Sequence, residues 1–183
     1  ADTGRVEATL SVANWVNGRG VNAGEVTGLV FSDGTQANFL RVVFGSVNGA
    51  PGIEVGYELD DTGYVALAEV ALPALSAAAN TGIDLRLSID LNNNFAVDAG
   101  YRLLTEGGTA PAFTDIALND GTPGFNVPAG VLQNVLNGSH TISDADTTAA
   151  SGAAFGVIAE DGDGATALNS VDFLQLEIES FGN

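Results

Sequence analysis

Residues 83–104 read IDLRLSIDLNNNFAVDAGYRLL. Ile83, Leu85, Leu87 and Ile89 alternate with Asp84, Arg86, Ser88 and Asp90. That is the period of a strand with one dry and one wet face. Asn92, Asn93 and Asn94 follow, and asparagine tolerates the left-handed backbone that tight turns need. Phe95, Val97, Ala99, Tyr101 and Leu103 then fall on one side of a second run, with Asp98 and Arg102 on the other. Two such runs joined by a polar turn form a hairpin. A hairpin holds only when its apolar face meets another layer, so a second sheet is required.

Similar segments lie on both sides. Val6, Ala8, Leu10 and Val12 alternate with polar residues, and residues 25–31, 37–44, 53–59, 64–72, 155–159 and 170–179 read as strands. Residues 37–44 are apolar at nearly every position, which predicts cover on both faces. Turns are expected at 32–34, 49–52, 60–63 and 160–164, where Gly, Asp and Pro cluster. Residues 76–80 are alanine-rich and allow one helical turn, Pro73 ends a strand, and residues 105–128 read as loop with a short strand at 114–118. Residues 128–136 fit a short helix or a strand. No break in composition divides the chain, so residues 1–183 are expected to form one domain. About ten short strands describe an all-β, antiparallel two-sheet sandwich.

Twenty-three acidic residues face five basic ones, for a formal net charge of -18. The basic residues are all arginines: Arg5, Arg19, Arg41, Arg86 and Arg102. Nucleic acid and anionic membrane are poor partners for such a chain, since phosphate binding needs clustered Lys or Arg. Either calcium bridges the surplus carboxylates or the acidity serves solubility in salty surroundings. There is no cysteine, hence no disulfide or thiolate chemistry. No apolar run is long enough to span a bilayer, so membrane insertion is not expected. The chain does not begin with Met and reads as a piece of a longer multidomain protein, monomeric in itself.

Four segments carry a family resemblance: GLVFSDGTQANFLRVVFG (28–45), GIEVGYEL (52–59), the hairpin at 83–104, and AFGVIAEDGDGATALNSVDFLQLEI (154–178). Together they resemble the concanavalin A-like lectin/glucanase superfamily. More narrowly, they are similar to LamG-like modules of bacterial extracellular proteins. The resemblance implies a jelly-roll sandwich with a concave face and often one structural calcium. Glucanases of that group carry two or three carboxylates at alternating positions of one strand. The nearest match here is Glu54-Val-Gly-Tyr-Glu58, with Gly56 in the middle. The motif is therefore absent, an enzyme is not expected, and Glu54 and Glu58 read as solvated surface. His140 is the only histidine, so neither a His-based triad nor a multi-histidine zinc site can be built.

Calcium has three candidate loops. Asp144 and Asp146 form one pair, Asp161 and Asp163 another beside Gly162 and Gly164, and Asp60-Asp61 a third. Each pair is also ordinary turn chemistry. Asp90 to Asn94 begins like an EF-hand, but Phe95 and Tyr101 occupy the required Gly and Glu positions and exclude one. For a sugar, Asn14, Trp15, Asn17 and Arg19 make the most attractive set: a ring to stack on a pyranose, with amides and a guanidinium for its hydroxyls. Trp15 folding back to cap the sandwich fits equally well. Tyr57, Tyr64 and Tyr101 read as core or rim. Arg41, Arg86 and Arg102 are expected to pair with carboxylates on the wet faces of their strands.

The sequence thus points to a secreted or surface-displayed, non-catalytic, calcium-dependent carbohydrate-binding module. Its setting would be a cell-adhesion protein or a carbohydrate-active protein, with a glycan or cell-surface ligand as partner. The alternatives are a calcium-dependent peptide- or protein-binding adhesin domain and a structural spacer.

Overall fold

The computed structural model describes residues 4–13, 25–35, 37–77, 79–91, 96–117, 125–127, 131–132, 135–136, 153–160 and 172–181. Among them run β1 (Arg5–Ala13), β2 (Val26–Ser32), β3 (Phe39–Val47), β4 (Ala50–Glu58) and β5 (Val65–Ala71). A 3₁₀ turn (Pro73–Ser76) leads into β6 (Asn80–Asp90) and β7 (Ala96–Thr105). The short β8 (Thr114–Asp115) and β9 (Phe125–Asn126) precede β10 (Ala154–Glu160) and β11 (Asp172–Phe181).

These strands form two antiparallel sheets. One has the order β11-β1-β6-β7-β8, with β9 also pairing with β7; the other has the order β10-β2-β3-β4-β5. The expected hairpin is β6–β7, paired with Ile83 opposite Leu103, Leu85 opposite Tyr101 and Leu87 opposite Ala99. Its dry face meets the second sheet through β2 and β3. Ala8, Leu10, Val12, Leu40, Val42, Phe44, Ile53, Val55, Leu85 and Leu87 are sealed from solvent between the layers. Each large aliphatic among them contributes about 2 kcal/mol of transfer free energy. The all-β two-sheet sandwich is therefore the architecture, with the period-two pattern of each strand setting which side enters the core.

Several local expectations shift. The turn before β4 is Asn48-Gly49, with φ of 51° and 78°, and Ala50, Pro51 and Gly52 already belong to the strand. Asn-Gly is the pair that a tight hairpin with two left-handed residues selects. The helical turn falls at Pro73–Ser76, because Pro73 starts it, and Asn80 is already extended. Residues 131–132 and 135–136 are helical, and Val131, Leu132 and Val135 join the core cluster. β3 is buried at nearly every position, Val43 on the side away from the core included, whereas Phe39 on that side is only partly so.

Candidate functional site

On the face of β3 turned away from the core, side chains alternate as Phe39, Arg41 and Val43. The register sets Ala154, Ser32, Phe39 and Glu58 side by side across β10, β2, β3 and β4. The next row is Gly156, Val30, Arg41 and Gly56. Small residues at 154, 156, 32 and 56 keep the middle of this face low, while the larger ones rise around it. The result is a groove of about 600 Å³.

Arg41 is its centre. The side chain is nearly buried, and each terminal nitrogen holds a carboxylate: Nη1 donates to Glu160 at 2.7 Å and Nη2 to Glu54 at 3.2 Å. Its guanidinium carbon lies 4.3 Å from the centre of the Tyr64 ring and 5.9 Å from that of Phe39. The two rings stack at 6.1 Å and 20°. Tyr64 donates its hydroxyl to Glu54 at 2.5 Å. Burial pushes the Tyr64 hydroxyl above its ordinary pKa, and donation to Glu54 raises it further, so Tyr64 remains a neutral donor. Burial alone would lower the pKa of Arg41, but the Glu160 carboxylate beside it opposes this, and the guanidinium stays charged.

Tyr64 reaches this position because Gly56 leaves room. A Cβ on Gly56 would lie 2.1 Å from the Tyr64 hydroxyl oxygen and 2.4 Å from Cζ. The gap in the carboxylate motif is thus the seat of a tyrosine. Glu54 is correspondingly not solvated surface: its side chain is 16% exposed and doubly bonded. Glu58 lines the groove without a hydrogen bond to any described residue. Four positions along a strand separate Glu54 from Glu58 by about 13 Å. Glycosidase pairs need roughly 5 to 9.5 Å, so these two do not form one.

The rim is stiff. Asp33 accepts the backbone N–H of Thr35 at 2.8 Å and its hydroxyl at 2.6 Å, and Asn38 donates to Asp33 at 3.3 Å. The Asn38 side-chain oxygen accepts the backbone N–H of Asp60 at 3.1 Å. These bonds hold the β2–β3 loop, with Gly34 and Thr35, over one end of the groove. They also account for Asp60-Asp61, whose positive φ of 51° and 55° marks a tight turn.

A second ionic cluster lies on the outer face of the other sheet. Arg102 Nε donates to Asp84 at 2.6 Å and Arg86 to Asp115 at 2.8 Å. Both guanidiniums face the Phe113 ring, at 4.4 Å and 4.7 Å. All three predicted arginines therefore pair with carboxylates.

Asn14, Trp15, Asn17 and Arg19, His140, and the acidic residues Asp144, Asp146, Asp161 and Asp163 all lie outside the described residues. Among the described residues no three His, Asp or Glu side chains converge to hold a metal ion. The sequence did not single out Phe39, Tyr64 and Glu160 as one site. The visible signal was the Phe-x-Arg alternation of β3 beside Glu-x-Gly-x-Glu on its neighbour. What joins them is strand order, above all β10 returning from the far end of the chain to pair with β2.

No protein-family model matches this chain, and no curated protein does. Among solved structures, the crystal structure of Scytalido-glutamic peptidase with a peptide-based transition-state analog matches at 16% identity and a TM-score of 0.28. The match covers 68% of this chain and 54% of the peptidase, so this chain spans about half its length. A likeness that loose carries no conclusion about chemistry, and it does not bear on the LamG-like resemblance.

Proposed function

We propose that this chain is a non-catalytic glycan-binding module whose ligand lies in the groove over β2, β3, β4 and β10. One observation carries the proposal: a partly buried Phe39 ring, backed by Tyr64, shares one concave site with the Glu58 carboxylate, beside Ser32 and Thr35 hydroxyls that are bonded within the β2–β3 loop. Sugar sites need an apolar ring for the pyranose face and fixed polar groups for its edge. A volume of about 600 Å³ suits a small oligosaccharide segment. Three glutamates (54, 58 and 160) against one arginine leave the site at a formal charge of 1 − 3 = −2. Arg41 is already engaged at both terminal nitrogens, so the groove favours neutral over anionic sugars.

Catalysis is not part of the proposal. The Glu54–Glu58 spacing suits no glycosidase pair. Glu54 and Glu160 are both held by the same guanidinium. We also propose that this chain is secreted or surface-displayed, on the strength of its acidic composition; the lack of cysteine does not exclude that. The calcium we propose rests on Asp144, Asp146, Asp161 and Asp163 of the sequence, and the groove itself does not require it.

A glycan array with the chain and with Phe39→Ala, Tyr64→Ala and Trp15→Ala, with and without calcium, tests the proposal. Neutral-sugar binding weakened about tenfold or more by Phe39→Ala and Tyr64→Ala, but kept by Trp15→Ala, is the expected result. Loss only in Trp15→Ala would move the site to that loop. An array without hits would leave the peptide-binding or spacer alternatives.

A further inference from the structure

β11 is exposed at every described side chain from 173 to 181. For a strand rich in Phe, Leu and Ile this is unusual, and its register shows why. Leu176 pairs with Leu10 and Ile178 with Ala8, both fully buried, so Leu176 and Ile178 point between the sheets. They are nonetheless 38% and 52% exposed. A bulge near Leu174 keeps Phe173 opposite the buried Val12, on the same inner side, yet 45% exposed. Across the rift, Val157 of β10 pairs with the buried Leu29 and is 40% exposed. β1 lies over β2, and β11 and β10 are the next strands outward in their respective sheets. Among the described residues nothing covers the sandwich along this side. Among the described residues no strand pairs with the outer edge of β11.

We propose that this edge binds an extended segment of another protein as an added strand. The segment alternates aliphatic with Lys or Arg residues. Strand addition supplies main-chain hydrogen bonds, and the alternation is dictated by the two faces of β11. On the inner side, aliphatic residues cover Leu176 and Ile178 and fill the rift toward Val157. On the outer side, Gln175, Glu177 and Glu179 meet the basic residues; Glu7, opposite Glu179 on the neighbouring strand, is already paired with Arg5 at 2.8 Å. A second copy of this chain is the poorer occupant. It would bring another set of these glutamates to one seam, on a protein already at -18. Exposed edges are commonly guarded by charge, and here the charge is all of one sign.

Fluorescence anisotropy at about 0.15 M salt tests this with a labelled peptide of about nine residues alternating Val and Lys. The matched probes are an alternating Val–Glu peptide and a Val–Lys peptide N-methylated at every residue, which has no N–H to give to a ladder. Expected is saturable binding of the first peptide alone. The Glu177→Lys/Glu179→Lys double variant should weaken it about tenfold or more and gain affinity for the Val–Glu peptide. Ile178→Lys, at an exposed position, should weaken binding of the Val–Lys peptide while leaving the circular dichroism unchanged. Equal binding of the N-methylated peptide would mean unspecific attraction and overturn the proposal, as would no binding at all. So would sedimentation showing a dimer that Ile178→Lys dissociates, because a second copy would then occupy the edge.

Discussion

A single methyl group at position 56 would meet the Tyr64 hydroxyl, Cζ and the Val65 carbonyl oxygen, all within 2.7 Å. Backbone cannot yield there, so the tyrosine must leave its seat over Gly56, and with it the bond to Glu54 and the contact with Arg41. Gly56→Ala should therefore cost about 1 to 3 kcal/mol in urea unfolding and weaken sugar binding as strongly as Tyr64→Ala does. Unchanged stability and binding would show that the groove does not depend on that contact. Tyr64 also makes a prediction for alkaline pH. Its folded-state pKa is raised above the ordinary value of 10.0. The protonated phenol therefore contributes stability that is complete below about pH 10 and fades only as pH climbs further. The difference in tyrosinate absorbance between the chain and Tyr64→Phe should show no step near pH 10. A normal step there would mean an exposed, unbonded hydroxyl.

Among the elements, the hairpin at 83–104 was legible because alternation over ten or so residues has one interpretation when the polar turn is present. Leu85 is its most consequential residue, sealed in the core between the sheets. Leu85→Ala should lower stability by about 2 to 5 kcal/mol, and a loss under 1 kcal/mol would mean the layer can collapse around the gap. Short-range signals were only partly read. Asn48-Gly49 announces a two-residue turn, yet Pro51 and Gly52 just after it drew the expected turn downstream. Pairing between distant segments was not legible at all. Nothing in 154–160 states that it joins β2, and without that pairing Glu160 cannot be placed beside Arg41. The candidate site was missed for the same reason: its residues come from four strands and two loops. The sequence showed that Arg41 would find a carboxylate, but not which one.

The whole molecule carries a net charge of -18, and like charges distributed over a sandwich oppose folding. Calcium held by the Asp144/Asp146 or Asp161/Asp163 loops would relieve part of that repulsion and bind only the folded chain. A rise in Tm of about 5 °C in millimolar calcium, reversed by chelator and not matched by sodium at equal ionic strength, is the expected outcome. An equal rise in sodium would reduce the effect to screening. Charge also separates the two proposed surfaces: a neutral sugar would suit a groove whose arginine is already satisfied, whereas the edge beside Glu177 and Glu179 would attract a basic strand. The claim on which the functional account rests is that the outer face of the five-stranded sheet is the working surface. Amide chemical-shift mapping during titration with neutral oligosaccharides tests it most directly. Shifts clustering on Val30, Ser32, Phe39, Arg41, Gly56 and Gly156 are predicted; shifts confined to residues 14–19, or none anywhere, would contradict it.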